Sequence, residues 1–282
     1  MERRNFLKLP LAAGAGILAA NTLGIQSATA ATSTALSTPA VGLKGFGYNV
    51  KDSLTLAQFN NLNLDWYYAW NAAPNKGPAN NFIPMIWSDG TNMDANIKKV
   101  MDQLSLTGTK HLLGFNEPDF AEQANMTTGE AVAAWAKLEA TGLRLGSPAT
   151  IKPNAWWMDT FMTKAKAANL RIDFVTMHCY GWPNADDFLR KVDTLHEKWG
   201  LPVWVTEYAV ADFSASASVP NRYGRTQVNE FMQATVEGMR ARPYVERFAW
   251  KTRASTDPVM GTSALFDSRG WRTSTGHLWS SL

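Results

Sequence analysis

Two glutamates in this sequence follow short apolar runs of the kind that predicts buried β-strands. Glu117 comes directly after the run 111–115 and one asparagine, and Glu207 directly follows the run 203–206. If both strands belong to one parallel sheet, both carboxylates lie at its carboxyl edge and can face one cavity. One carboxyl group can then protonate a leaving oxygen while the other stabilises or attacks an anomeric carbon. These are the two tasks of glycosidic bond cleavage.

Short β-prone runs alternate with stretches of helical apolar spacing along most of the chain. The eight predicted strands are 45–49, 64–70, 82–87, 111–115, 143–147, 173–178, 203–206 and 247–250. The predicted helices are 54–61, 92–106, 129–140, 155–168, 185–199 and 223–240. The connections after the second and eighth strands are less clearly helical. The alternation predicts an α/β chain folded as a (β/α)8 TIM barrel, with an open doubly wound sheet as the alternative.

Polar side chains collect where the predicted strands end. In chain order they are Asn116, Glu117, His178, Tyr180 and Glu207. Catalytic groups of TIM barrels lie at the carboxyl ends of the strands and in the loops that follow them. In a closed barrel the fourth and seventh strands lie across the mouth from each other. The two glutamates are therefore expected to face one cavity.

Five motifs follow one another along the chain. They are FIPMIW at 82–87, GFNEPD at 114–119, GSPA at 146–149, HCYG at 178–181 and VWVTE at 203–207. Together they resemble glycoside hydrolase family 128, a family of β-1,3-glucanases in the large clan of retaining barrel glycosidases. The resemblance extends from about residue 45 to residue 279, which is nearly the whole chain after its N-terminal segment.

The resemblance implies a role for each polar residue. Glu117 would be the acid/base and Glu207 the nucleophile of a double displacement, and Asn116 would hydrogen-bond the 2-hydroxyl of the sugar at subsite −1. His178 or Tyr180 would orient the carboxylates, and both are also predicted to bind substrate. A Tyr180 hydroxyl that donates to Glu207 would favour its charged form. The implied activity is retaining hydrolysis of a β-1,3-glucan such as laminarin or curdlan. The alternatives are another β-glycan, mannan or cellulose, and a non-catalytic glucan-binding protein.

The chain contains 12 tryptophans, and several fall at or just after predicted strand ends. An indole ring offers the C–H groups of a sugar an apolar face with a favourable quadrupole. We therefore predict that some of them bind substrate, namely Trp70, Trp87, Trp182 and Trp250. Val50 and Lys251 depart from the family's pattern, because aromatic residues are expected at these two places.

Other residues indicate no second kind of chemistry. Asp119, Asp173 and Asp212 are interpreted as capping or loop residues rather than catalytic acids. Because the sequence lacks clustered metal ligands, a phosphate-binding loop and a dinucleotide fingerprint, we expect hydrolysis with no metal and no cofactor. The net charge of +3 does not indicate a nucleic-acid partner. With Cys179 as the single cysteine, no intramolecular disulfide is expected.

The first residues are typical of an exported protein. Arg3 and Arg4 precede a mildly apolar stretch that ends in small residues at 28–30, as in a twin-arginine signal peptide. We predict a signal peptide at 1–30, a linker at 31–42 and a catalytic domain at 43–282. Glycine, proline and asparagine interrupt the apolar stretch, so no stable membrane insertion is expected. We expect the protein to be monomeric and to be either periplasmic or secreted.

Overall fold

A computed structural model describes residues 42–282. The predicted signal peptide and the linker up to residue 41 lie outside the described residues. Strands in the described part are β1 (Leu43–Gly47), β2 (Trp66–Tyr68), β3 (His111–Leu113), β4 (Arg144–Gly146), β5 (Val175–Gly181), β6 (Val203–Val210) and β7 (Val245–Trp250). Every pair that these strands form with one another is parallel.

These strands close into a barrel. One sheet has the order β2-β1-β7-β6-β5, and β3 pairs with β4. Parallel bridges join the two sheets through residues 82–87, which contact Tyr67 on one side and Leu113 on the other, while Gly146 meets Phe174 just before β5. Residues 82–87 therefore hold the third of eight positions, which makes β3 the fourth and β6 the seventh. The predicted (β/α)8 barrel is confirmed, and the open sheet is wrong.

Helices cover the outside of the barrel. They are α1 (Ser53–Asn60), α2 (Met93–Asp102), α3 (Leu104–Thr107), α4 (Thr128–Glu139), α5 (Trp156–Ala167), α6 (Ala185–Trp199), α7 (Arg225–Arg240) and α8 (Ser274–Ser281). Thr127 and Glu130 form a capping box at the start of α4, and Gly200 ends α6 in the left-handed conformation. Within the described chain no helix comes between β2 and residues 82–87, and β7 is followed by a 3-10 turn (Gly261–Ser263) and the short α8. These are the two connections that the sequence left unclear.

Side chains fill the barrel interior below its mouth. Trp66, Phe174 and Trp204 are fully buried in this inner cluster, where the rings of Phe174 and Trp204 stack with centroids 4.0 Å apart. A Cβ on Gly45 would lie 2.3 Å from the indole of Trp66, so only glycine fits at that position of β1. The larger core lies between the barrel and its helices. No helix among residues 42–282 is long and apolar enough to cross a lipid bilayer.

Candidate active site

Glu117 stands at the carboxyl end of the fourth barrel position in an unusual backbone conformation. Its φ of 45° lies in the left-handed region, which costs a non-glycine residue about 1 kcal/mol or more. Two backbone bonds hold the segment: Asn116 N–H donates to Trp87 O at 3.0 Å, and Glu117 N–H donates to Ala149 O at 2.7 Å. Neighbouring barrel positions on both sides therefore fix the direction of the carboxylate.

Glu207 reaches the barrel interior because β6 contains an irregularity. Trp204 belongs to the inner cluster, while Val205 and Tyr208 pack on the outside against the helices. Strict alternation from Trp204 would turn residues 206 and 208 inward and residue 207 outward. A register shift between Val205 and Tyr208 in the pairing with β7 moves the alternation by one residue. Glu207 consequently faces the cavity.

Four donors surround the carboxylate of Glu207. Oε1 accepts from the Tyr68 hydroxyl at 2.9 Å and from the Trp70 indole N–H at 2.7 Å. Oε2 accepts from the hydroxyl of Tyr180, the contact expected from the sequence, and lies 3.0 Å from the ammonium of Lys251. Burial alone would raise the pKa of Glu207, but the charges of His178 and Lys251 and these hydrogen bonds hold it well below its usual range. Glu207 is therefore ionised at neutral pH.

His178 lies between the two glutamates and is fully buried. Its Nδ1 is 2.8 Å from Oε1 of Glu117, and its Nε2 is 3.6 Å from Oε1 of Glu207. The imidazole therefore bridges the gap between the two carboxylates, with one ring nitrogen facing each of them.

One oxygen of each glutamate and a ring nitrogen of His178 all lie within 4.8 Å of one another. Three such groups could also hold a metal ion. In this protein the ammonium of Lys251 places a positive charge beside Glu207. A cation that belongs to the chain itself thus lies beside one of the two carboxylates.

The glutamates open into a cavity of about 870 Å³ at the mouth of the barrel. Four of the predicted substrate-binding residues line it together with the glutamates, namely Trp70, Trp87, Asn116 and Tyr180. Asn116 Nδ2 donates to Gln123 at 3.1 Å, and its Oδ1 has no hydrogen-bond partner among the described residues. A buried amide oxygen without a partner is costly unless a ligand satisfies it. Asn116 therefore offers an acceptor to a bound molecule.

Two of the predicted substrate-binding tryptophans lie elsewhere. Trp250 is 0% exposed and points out of the barrel, where it packs against Tyr208 and Trp279 and its indole N–H donates to Ser263 O at 2.9 Å. It is a core residue, and the prediction was wrong because strand alternation turns its side chain outward. Trp182 is 57% exposed and does not line the cavity, because the chain turns away after β5 before α6 begins.

Several residues of the site escaped the sequence prediction. Tyr68 and Lys251 contact Glu207, and the half-exposed or exposed rings of Phe120 and Phe213 line the cavity. Alternation along β7 was the available signal for Lys251: Ala249 faces inward, so the next inward position is residue 251 and not Trp250. Nothing in the pattern distinguished Phe120 and Phe213 from other loop residues.

The remaining acids make structural contacts. Asp119 lies in a turn and accepts from Ile151 N at 3.1 Å, while burial raises its pKa. Asp173 accepts from Leu145 N at 2.7 Å, and Asp212 forms an ion pair with Arg222 at 2.8 Å. These three aspartates are accordingly loop residues that tie segments together.

Comparisons with known proteins identify relatives of this chain. A family model described as "Glycosyl hydrolase catalytic core" matches residues 45–279. The "Alkali-sensitive linkage protein 1" of Schizosaccharomyces pombe is 26% identical over 232 residues, which are 78% of this chain and 41% of that protein. This chain therefore spans less than half the length of the curated relative that it matches.

Solved structures share the fold over most of their length. A glycoside hydrolase family 128 subgroup I endo-β-1,3-glucanase from Amycolatopsis mediterranei, in complex with laminaritriose, is 29% identical with a TM-score of 0.73, covering 85% of this chain and 99% of that one. A subgroup VII oligosaccharide-binding protein from Trichoderma gamsii, 21% identical with a TM-score of 0.66 over 86% and 94% of the two chains, shares the fold alone. The match across residues 45–279 and this likeness show that the chain belongs to the glycosyl hydrolase catalytic core family and to glycoside hydrolase family 128.

Proposed function

We propose that this protein hydrolyses β-1,3-glucan by double displacement, with Glu207 as nucleophile and Glu117 as acid/base. The observation that carries the proposal is the pair of carboxylates at the cavity, whose surroundings differ in charge. Glu207 receives three neutral donors and one ammonium, whereas Glu117 contacts the single ring of His178. The first environment favours an anion, and the second leaves room for a proton.

The reaction divides into two steps. In the first, Glu117 gives its proton to the glycosidic oxygen as that oxygen leaves the anomeric carbon, and Glu207 bonds to the same carbon. In the second, water attacks the anomeric carbon, Glu117 takes a proton from the water, and the bond to Glu207 breaks to restore the carboxylate. One oxygen of each glutamate lies within 4.8 Å of the other. This is nearer to the separation of about 5–5.5 Å in retaining enzymes than to the 6.5–9.5 Å of inverting ones.

Other groups of the cavity suit a sugar beside Glu207. The free Oδ1 of Asn116 is an acceptor for the 2-hydroxyl at subsite −1, a bond that strengthens in the transition state of glycosidases. Trp70 and Trp87 line the same cavity and offer ring faces to pyranose C–H groups. The solved relative with laminaritriose, at 29% identity, supports β-1,3-glucan as the polymer.

A substrate panel tests this function. Wild type, Glu117→Gln and Glu207→Gln are incubated with laminarin, curdlan, mannan and cellulose, and new reducing ends are measured; the surface variant Glu237→Gln is the matched control. We expect cleavage of laminarin and curdlan by wild type and control, with losses of about 100-fold or more in the two site variants. Cleavage of mannan or cellulose alone would leave the mechanism intact and contradict the polymer. Tight laminarin binding without cleavage would favour a non-catalytic binding protein, the alternative predicted from the sequence.

Azide assigns the two roles. In Glu117→Ala, azide attacks the glycosyl-enzyme formed from an aryl laminaribioside and gives a β-glycosyl azide, because the configuration is inverted twice. In Glu207→Ala no covalent ester forms, so azide attacks the substrate directly and gives the α-azide. Proton NMR distinguishes the two products. An α-azide from Glu117→Ala and a β-azide from Glu207→Ala would reverse the assignment.

We propose further that the chain is exported by the twin-arginine route to the periplasm or beyond. The support is the Arg3-Arg4 pair, the apolar stretch and the small residues at 28–30. Replacement of both arginines by lysine should leave uncleaved precursor inside the cell, which fractionation and immunoblotting detect. Normal export of the double variant would contradict the proposal.

A further inference from the structure

Lys251 directly follows β7 and lies beside Glu207. Its side chain is only 11% exposed, and its ammonium lies 3.0 Å from Oε2 of Glu207 and 3.7 Å from the ring centroid of Trp70. Trp70 itself donates to the other oxygen of Glu207 at 2.7 Å. Lysine, indole and carboxylate thus form one closed unit. The roles proposed above assign no function to Lys251.

We propose that Lys251 is a positioning residue that favours the breakdown of the glycosyl-enzyme over its formation, by stabilising Glu207 as a free carboxylate. The inference rests on the double displacement proposed above. Glu207 is an anion before the first step and after the second, and a neutral ester between them. A cation at 3.0 Å attracts the anion strongly and the ester weakly. It therefore lowers the barrier to release of the sugar and raises the barrier to its capture.

The other donors do not have this effect to the same degree. The hydroxyls of Tyr68 and Tyr180 and the indole of Trp70 carry no net charge, so they can also hydrogen-bond the oxygens of the ester. An ammonium differs because its attraction depends on the charge of its partner. Burial lowers the pKa of Lys251, and the nearby charge of Glu207 acts in the opposite direction. The lysine and the carboxylate accordingly support each other's charge only while Glu207 is free.

Several elements present titratable or charged groups to this unit. β2 contributes Tyr68, β5 contributes His178 and Tyr180, the end of the fourth barrel position contributes Glu117, and the segment after β7 contributes Arg253. Replacement of Lys251 removes none of these groups. A change in the titration of Glu207 on replacement of Lys251 is then assigned to the lost ammonium.

Direct titration tests the electrostatic part without any turnover. Wild type, Lys251→Met, Lys251→Gln and Lys251→Arg are labelled with ¹³C-glutamate, and the side-chain carboxyl signal of Glu207 is identified by its loss in Glu207→Gln. We expect Glu207 to titrate about 1–3 pH units higher in the methionine and glutamine variants than in wild type. In the arginine variant Glu207 should titrate close to its wild-type position, because the positive charge is kept. Titration in both uncharged variants that coincides with wild type overturns the proposal.

Kinetics test the catalytic part. With an activated aryl laminaribioside, Lys251→Met should release a burst of phenol before steady state. Its kcat should fall about tenfold and its KM should fall further, so that kcat/KM rises because formation of the glycosyl-enzyme is faster. Lys137→Met, which removes a surface ion pair with Asp94, is the matched control. Equal losses in kcat and kcat/KM without a burst overturn the proposal. If wild type cleaves no glucan at all, the proposed function fails, and the titration still decides the effect of Lys251 on Glu207.

Discussion

Replacement of Tyr180 by phenylalanine removes one hydroxyl from the surroundings of Glu207 and keeps the ring. That hydroxyl donates to Oε2 of Glu207. A hydrogen bond to a charged group contributes about 1.5–3 kcal/mol, and 1.36 kcal/mol corresponds to one pKa unit. The lost bond stabilises the ionised form, so its removal raises the pKa of Glu207 by about 1–2 units. Tyr68, Trp70 and Lys251 remain as partners of the carboxylate.

The pH dependence of kcat/KM on laminarin measures this change. An attacking Glu207 must be ionised, so the acidic limb of the profile should move to higher pH by about 1–2 units in Tyr180→Phe. The three remaining partners keep Glu207 ionised near neutral pH. The plateau value of kcat/KM should therefore fall by about tenfold at most. Tyr244→Phe removes the same atom from a contact with Asp193 outside the cavity and should leave the profile unchanged. A folded Tyr180→Phe enzyme whose acidic limb coincides with wild type would refute the reasoning.

Three further predictions concern packing and the cavity. Trp250→Leu should lower the free energy of unfolding by about 2 kcal/mol or more with little change in KM, because its ring is core, and chemical denaturation measures this. Trp87→Leu should raise KM for laminarin severalfold and cost less stability than Trp250→Leu, since the Trp87 ring is partly exposed at the cavity. Gly45→Ala should lower the free energy of unfolding by about 1–3 kcal/mol, because its Cβ would lie 2.3 Å from the Trp66 indole. Equal stability of the Trp250 and Trp87 variants, or an unchanged melting temperature for Gly45→Ala, would contradict these assignments.

The order of the barrel followed from hydrophobic pattern because each strand is a short apolar run between turn signals. All eight predicted strand positions are occupied, including residues 82–87, which form only single bridges to their neighbours. The predicted helix 92–106 is divided into α2 and α3, with Gln103 between them. The residue at which a helix ends depends on one or two backbone angles, which the spacing of apolar residues does not encode.

The contacts of the glutamates were only partly predictable. The Tyr180 hydroxyl could be assigned to Glu207 because both residues lie near the carboxyl ends of adjacent barrel strands. The Lys251 contact was missed because Trp250 was assigned to the cavity, although alternation from the inward-facing Ala249 makes residue 251 the next inward position. Tyr68 lies inside an apolar strand, and the pattern there predicts a core residue. Only the residue that its hydroxyl contacts across the barrel distinguishes a tyrosine of the site from a tyrosine of the core.

Departures from regular backbone, and not regular strands alone, direct the two glutamates into the cavity. Glu117 and Trp70 are held at φ of 45° and 54°, in a region that side chains other than glycine rarely adopt. The register shift in β6 turns Glu207 inward, where strict alternation would place Thr206. Each departure has a cost in stability, and each directs a side chain to the same carboxylate site. Because sequence periodicity describes regular elements, it located the strand ends and could not show how the chain turns the glutamates towards each other.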